Sequence, residues 1–502
     1  MHVARTRTTV KGKVYESVLV RQSYRVGTKV KHRTLASLTR LPAHVIEAVE
    51  RAIQGQPPLA GSIPGALTIT HSWPHGHVAA TLGTARQLGL EAVLDPQPSR
   101  QRDLVLAMIV DRVLHPASKL ATSQLWETTS LGQTLGVSKT DEDDLYAAMN
   151  WLLERQEAIE QRLAKRHLEP GGIVLCDLTS TYVEGEHCPL AKRGSSQDGK
   201  PSQPRIAFGL ITNAGGDPVA IEAYPGNTAA PSTFQDQVRK VKDRFGIGDV
   251  IWVGDRGMIT GAQIEQLQQL SGVSWVTALR APTVQQLVDA GSVQLSLLDT
   301  QNLAEVTDER YPGERLVLCR RDEASIAREA LLDGFYVLRT NVSAERLDTA
   351  GVVFAYKSLA HIERDFRRFK LNDVEGRPIH HYLERRVKAH LLLCMLACWV
   401  QRTMERKLAP LLFLEEVPPE RTNPVPPAPR SLAAQRKEKR KRTEDKLPAQ
   451  RFRELLKRLS TIVTNRALPA GADSSAAFDL LTQPSPLQRR AFDLLGVSLL
   501  AK

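Results

Sequence analysis

The sequence is short of the features that would place a chain in a membrane or outside the cell. Its longest apolar run, Leu391–Val400 (LLLCMLACWV), is ten residues, about half of what a helix needs to cross a bilayer. It sits among charged residues and predicts a buried core helix. The N-terminus, MHVARTRTTVKGK, has no apolar segment of a secretory signal, so the expectation is a chain that stays in the cytoplasm. Cysteine is scarce as well: Cys176, Cys188, Cys319, Cys394 and Cys398 are the five in 502 residues, and their scatter suits reduced thiols rather than a disulfide framework. No internal repeat of solenoid type recurs.

Acidic residues are also in deficit. Lys and Arg number 67 against 55 Asp and Glu, a formal net charge of +12, which points to a polyanionic partner. Nucleic acid and an acidic membrane surface would both answer to that field, but the membrane reading lacks a span or an anchor. A composition of 42% apolar and 24% charged residues is globular, not disordered or fibrous, and the length allows three or more domains.

Along the chain the pattern changes several times. Residues 1–40 carry ten Lys or Arg against one acid, Glu16, with strand-like runs at Val14–Val20 and Val30–Leu38 and a turn at Gly27. This reads as a basic β-hairpin module over 1–55, either a solvated sheet face or a nucleic-acid contact. Residues 77–166 have a helical period throughout and form a second unit, a helical region that is a candidate for DNA binding. Its cluster Asp141–Asp144 stands just before a helix, where carboxylates offset the N-terminal dipole, and reads as capping.

From Gly171 onward, the pattern is α/β. An apolar run Ile173–Cys176 is followed by a polar loop, a hairpin-like pair Arg205–Thr212 and Pro218–Tyr224, and a helix near Pro231. A short strand Val250–Gly254, a helix from Gly261 and a strand Ser274–Leu279 then predict a central mixed sheet over 170–279. Residues 280–332, with the β-like pieces VQLSLL and RLVLCRR, show no obvious sequel to that sheet and read as a β-rich insertion. Strand Gly334–Thr340 resumes the core, which extends over 333–404. Residues 405–446, proline-rich and then basic (QRKEKRKRTEDK), read as a flexible linker, and 447–502 as a helical tail.

Three carboxylates carry possible chemistry. Asp177 closes the strand GGIVLCD and Asp255 the strand DVIWVGD, and carboxyl ends of adjacent strands are where open α/β sheets place ligands. Each alone is equally well a turn residue. In YKSLAHIERDFRRFK, a helix beginning near Tyr356, Leu359, Ile362, Phe366 and Phe369 form a buried stripe, with Tyr356, Glu363, Arg367 and Lys370 along one flank. A surface helix with Glu363 bonded to Arg367 would show the same pattern.

Taken together, CDLTSTYVEG, AYPGNT, WVGDRGM, GFYVLRTN, YKSLAHIERDFRRFK and RPIHHYLERRVKAHLLLCMLA resemble the DDE transposases of bacterial insertion sequences, in the insertion-sequence-four group. The resemblance implies an α+β multidomain protein with an RNase H-like α/β catalytic core interrupted by a β-rich insertion, beside the basic β module and the helical domain. It implies an acidic triad at Asp177, Asp255 and Glu363, serving as catalytic residues and metal ligands. The group's Tyr-x2-Arg-x3-Glu-x6-Lys signature falls on Tyr356, Glu363 and Lys370, with Leu359 in the Arg position.

The implied activity is transposition: metal-dependent cleavage at the element's terminal inverted repeats, then strand transfer into target DNA. Three carboxylates suit two Mg²⁺ ions about 3.5–4 Å apart, with Mn²⁺ able to substitute. Tyr356, Lys370, Arg367 and Arg256 are the expected DNA contacts. The implied partner state is a homodimer in a synaptic complex, nucleoid-associated and without a membrane. The rival readings are a two-metal nuclease that does not join and an inactive DNA-binding descendant.

Other groups read more plainly. Thr179, Ser180 and Thr181 suit capping more than a phosphate contact, and Gly257 suits a turn before the helix and a close approach of a DNA backbone equally well. His71, His75 and His77 mark a turn and helix start, and His187 with Cys188 beside Cys176 is a chance cluster. Cys394 and Cys398 are core residues.

Overall fold

The computed structural model describes the chain apart from residues 1, 11–12, 27–28, 55–66, 186, 195–202, 271, 294–301, 321–334, 371–378, 417–429, 470–471 and 500–502. It opens with three strands, β1 (His2–Val10), β2 (Lys13–Val26) and β3 (Lys29–Ser37), and a helix, α1 (Ala43–Ile53). These strands form an antiparallel sheet in the order β1-β2-β3, one strand more than the expected hairpin. The extra strand escaped notice because its Thr and Arg residues show no apolar alternation, although they pair in register with β2 from His2 opposite Arg21 to Val10 opposite Lys13. Val18, Val20, Leu38 and Ile46 of α1 are buried together, and Arg5 reaches Glu50 of α1 at 3.0 Å.

After β4 (Leu67–Pro74) come seven helices: α2 (Gly76–Gln87), α3 (Leu90–Leu94), α4 (Arg100–Leu114), α5 (Lys119–Thr128), α6 (Leu131–Thr134), α7 (Glu142–Glu154) and α8 (Gln156–His167). Helix α4 is buried continuously from Leu104 to Leu114, so it is a core element. The Asp141 side chain caps α7, accepting the Asp144 N–H at 2.9 Å, with Glu142, Asp143 and Asp144 in the first turn. Capping is therefore what the acidic cluster does.

The sheet region follows with β5 (Ile173–Tyr182), β6 (Arg205–Asn213), β7 (Pro218–Pro225), α9 (Ala230–Arg239), a π turn at Lys240–Arg244, β8 (Val250–Val253), α10 (Gly261–Leu267), β9 (Val273–Ala278) and α11 (Ala281–Asp289). Then come β10 (Leu303–Val306), β11 (Arg315–Arg320) and β12 (Phe335–Thr340). All eight strands from β5 to β12 belong to one mixed sheet in the order β10-β11-β12-β9-β8-β5-β6-β7. The segment 280–332 is thus not a separate β-rich insertion. It begins with helix α11, and β10 and β11 continue the central sheet beside β12; most of VQLSLL lies outside the described residues. The sequence hid this because β11 is covered on both sides. Leu316 and Leu318 pack toward α11 while Val317 and Cys319 enter the main core, so no period-two pattern survives.

The remaining elements are α12 (Thr349–Lys357), α13 (Leu359–Lys370), α14 (Glu384–Leu408), α15 (Leu432–Arg440), α16 (Phe452–Ser460), β13 (Val463–Pro469), β14 (Phe478–Leu481) and α17 (Pro486–Leu495). Leu391–Val400 lies inside α14 and is buried throughout, Cys394 and Cys398 included. No helix among the described residues is long and apolar enough to cross a membrane. One apolar cluster runs from Val78 in α2 through α14 to Leu495 in α17 and includes Leu175 and Val253 of the sheet. The helical run and the sheet therefore share a core.

Two expectations for the C-terminal part need correction. Residues 405–446 are not wholly a tether: α14 extends to Leu408, and the basic run forms most of α15, where buried Lys437 donates to Ala409 O at 2.8 Å and pairs with Glu416 at 2.6 Å. The proline-rich part, 417–429, lies outside the described residues. Nor is the tail only helical, because β13 pairs with β14 and, antiparallel, with β4. Strands whose partners lie so far away in sequence give no local signal.

Candidate active site

The two aspartates are set side by side by the parallel pairing of β5 and β8. Ile173 stands opposite Ile251 and Leu175 opposite Val253, so two residues further on Asp177 and Asp255 come level on the face of Leu175 and Val253. Strand β5 does not stop at Asp177, as the sequence suggested, but continues to Tyr182 against β6, with Asp177 opposite Leu210 and Thr179 opposite Phe208. Thr179, Ser180 and Thr181 are accordingly buried strand residues rather than caps; β-branched and small polar side chains are tolerated there because β6 supplies the backbone partners. Asp255 lies in the turn after β8, where its Oδ1 accepts the N–H groups of Gly257 at 3.0 Å and Met258 at 2.7 Å. Asp177 Oδ1 accepts the Leu178 N–H at 2.7 Å. These bonds fix each carboxylate through one oxygen.

The helix expected to begin near Tyr356 is two helices. Ser358 Oγ donates to Phe354 O at 2.9 Å, the kind of back-bond that bends a helix, and α12 gives way to α13 at that residue. Tyr356 thus approaches the site from α12 and not along the flank of α13. The stripe on α13 is as expected: Leu359, Ile362, Phe366 and Phe369 are all buried. Phe366 and Phe369 each stand 5.6 Å, centroid to centroid, from Phe208. Phe208 is on the Asp177 face of the sheet, so α13 lies across that face and brings Glu363 beside it. Glu363 is 59% exposed and holds Arg367, 67% exposed, at 3.5 Å.

A second set of charges, missed in the sequence, holds α13 in place. Buried Asp365 pairs with Arg368 at 2.7 Å and with Arg402 of α14 at 3.2 Å, and Arg368 reaches Glu405 at 2.5 Å. Arg402 also donates to the carbonyls of Gly215 and Gly216. Arg364 bonds Ala360 O at 3.2 Å. Arg368 is thus committed to this network, and Leu359, which stands in the Arg position of the signature, is a buried packing residue. The only local clue was Asp365 three residues before Arg368.

Electrostatically the predicted residues form one group. Burial, the charge of Asp255 and then that of Glu363 push the Asp177 carboxyl up to about 7, against the opposing Leu178 N–H and the Lys370 ammonium. Burial and then Asp255 push the Tyr356 phenol up to about 12, with Asp177 adding to the rise and Arg256 opposing it. Asp255, Glu363 and Lys370 thus act on Asp177; Asp255, Arg256 and Asp177 act on Tyr356; and Arg367 is tied to Glu363. Among the described residues no three His, Cys, Asp or Glu side chains are gathered as a ready metal cage. The donor chemistry nevertheless suits a hard divalent cation, because carboxylate oxygens are the ligands such a cation takes and its charge would offset both the burial and the neighbouring charge that raise Asp177.

The remaining clusters stay structural. His71 stacks on Trp73 at 5.0 Å. His75 is bonded to Ser130 Oγ and Leu499 O, each at 2.8 Å, and burial lowers His77 to about 3. Exposed His187 lies 6.4 Å from the Tyr382 ring, while Cys176 faces Val253 O at 3.7 Å.

Residues 3–61 match the N-terminal domain of IS1634 family transposases, and residues 171–400 match a transposase DDE domain. Nothing among curated proteins matches the chain in sequence. Among solved structures, a piggyBac transposase in a synaptic complex with hairpin DNA, determined by cryo-EM, matches with a TM-score of 0.38 and 11% identity, over 65% of this chain and 71% of that one. The two domain matches, in this order, support an insertion-sequence transposase with a DDE domain.

Proposed function

We propose that the protein cuts DNA at the ends of its element and joins the freed ends to target DNA, with Asp177, Asp255 and Glu363 as the catalytic carboxylates. The observation that carries this reading is the parallel pairing of β5 and β8, which brings Asp177 beside Asp255, with α13, the helix of Glu363, laid across the same face of the sheet. Two Mg²⁺ ions, replaceable by Mn²⁺, would stabilise the attacking and leaving oxygens of an in-line phosphoryl transfer. The three carboxylates would hold them. Glu363 is available because an exposed i,i+4 pair such as Glu363 with Arg367 is worth less than about 1 kcal/mol, so Arg367 can leave it for a DNA phosphate.

The other residues bind and orient. Tyr356, whose phenol keeps its proton across the neutral range, donates a hydrogen bond to a phosphate oxygen, while Lys370 and Arg256 offset the charge of the backbone beside the scissile bond. In the first step a water oxygen bonds to phosphorus as the 3′-oxygen leaves and takes a proton. In the second, that 3′-hydroxyl bonds to a target phosphorus as another 3′-oxygen leaves. Membership of the insertion-sequence-four group rests on the spacing of Tyr356, Glu363 and Lys370, and a homodimer bringing two ends together is the assembly this chemistry needs.

A cleavage and strand-transfer assay on the DNA flanking the gene, with Mg²⁺ and beside a Glu363→Gln variant, tests the proposal. Joined products from the unaltered chain alone support it. Cutting without joining replaces it with a nuclease, and binding with neither reaction replaces it with an inactive descendant.

A further inference from the structure

An enzyme that acts on particular DNA ends must read them, and the N-terminal sheet has a face built for that. Residues 1–53 contain three acids, Glu16, Glu47 and Glu50, and all three are on the same side. Glu47 and Glu50 are on α1, and Glu16, opposite Arg7, shares the face of Val18 and Val20 that α1 covers. Strand alternation and register put Thr6, Ser17, Arg21, Ser23, Arg25 and His32 on the other face. No acid of the sheet lies there, and Thr6, Ser23, Arg25 and His32 are exposed on it. Ser23 Oγ stands 3.0 Å from His32 Nδ1, which presets these two side chains across the strands.

The shape is as selective as the charge. Described pairing of β1 stops at His2 opposite Arg21, whereas β2 and β3 stay paired as far as Val26 opposite Lys29. Over residues 22–26 and 29–33 the described sheet is therefore a two-stranded ribbon, cationic on both faces: exposed Arg25 is on one, exposed Lys31 and Arg33 on the other. Two strands about 4.8 Å apart with their side chains fit the major groove of B-DNA, about 12 Å wide. Other basic segments fit less well. The run in α15 has Lys437 buried on Glu416 and Arg430 paired with Glu438, and α4 is internal.

We infer that the β2–β3 ribbon is the element that reads duplex DNA, entering the major groove with Ser23, Arg25 and His32 toward the base edges and with Lys31 and Arg33 along the phosphates. This rests on the reading of the chain as an enzyme of DNA ends, and it assigns the recognition that the catalytic residues do not provide.

Binding of the full chain to fluorescent duplexes, carrying either the element's end or a scrambled sequence, tests it over about 50 to 300 mM salt. Lys31→Ala with Arg33→Ala is expected to weaken both duplexes at least tenfold and to lower the salt slope by about 2, at about 0.9 per phosphate contact. Lys31→Arg with Arg33→Lys should retain the slope, which a folding defect would not. Ser23→Ala with His32→Ala should cut the preference for the end over the scrambled duplex about tenfold and leave the slope alone. Unchanged affinity and slope in the first variant, or equal binding of single strands by the unaltered chain, overturns the inference. Cleavage by the unaltered chain decides the enzymatic reading separately. Ribbon variants that bind normally while that chain cuts would remove only the inference, and ribbon variants that lose binding while it cuts nothing would remove only the reading.

Discussion

On the two faces of the central sheet, carboxylates are gathered in different company. On the face of Leu178, Gly209 and Glu222, Lys240 lies between Glu160 at 3.0 Å and Glu222 at 2.8 Å. Burial works against the Lys240 charge, but the two glutamates outweigh it and hold the ammonium above its usual range. On the opposite face Asp177 and Asp255 come level, with Glu363 beside them, and among the described residues neither aspartate has an ion-pair partner. The first cluster brings its own cation and is complete as folded. The second leaves like charges facing one another, an imbalance that favours the proposed reading of it as a site rather than a strut.

If that contrast is right, substitutions on the two faces must fail in different ways. Asp177→Asn should abolish cleavage, by about 10³-fold or more as for one member of a group that acts as a unit, while leaving the melting temperature at pH 8 unchanged or raised. A gel assay and a thermal melt check this pair of outcomes; a large loss of stability would make Asp177 structural. Lys240→Met should do the opposite. It strands buried Glu160 without its cation, and breaking a buried pair costs about 3–5 kcal/mol, read by urea denaturation.

Proton and metal sharpen the comparison next. Asp177 is held up to about 7 against an ordinary 3.8, so between these values the folded chain keeps a proton that the unfolded chain has lost. Stability contributed by this group is therefore full below 3.8 and falls as pH rises toward about 7. Millimolar Mg²⁺ should raise the melting temperature at pH 8 and hardly at pH 5, and Asp177→Asn should flatten both effects. A melt series equally responsive to Mg²⁺ in that variant would place the cation elsewhere. The smallest effect belongs to Glu363→Gln, which removes only an exposed pair and should change stability by less than about 1 kcal/mol while stopping strand transfer.

Much of this site was legible because its signals are local. The apolar runs ending at Asp177 and Asp255 mark strands, and Leu359, Ile362, Phe366 and Phe369 mark the buried side of α13 wherever that helix packs. What escaped was set by partners elsewhere in the chain. Thr179–Thr181 are polar yet buried because β6 covers them, β11 lost its alternation by being buried on both faces, and Arg368 is tied down by Glu405, 37 positions further on, as well as by Asp365. The break at Ser358 is local, but a single serine back-bond leaves no mark on helical period.

The pairing of β4 with β13 has a consequence in time. Thr70 Oγ1 bonds the carbonyl of Arg466, 396 positions later in the chain, and β4 meets no other strand among the described residues. On a ribosome adding about 5–20 residues each second, β4 waits roughly 20 to 80 s with an open edge, while α2 waits equally long for α16 and α17. The N-terminal sheet, complete by residue 53, is folded long before. If the ribbon reads DNA as inferred, a nascent chain would hold DNA well before its catalytic sheet and helices close, and the unpaired edge of β4 is the natural target for a chaperone in that interval.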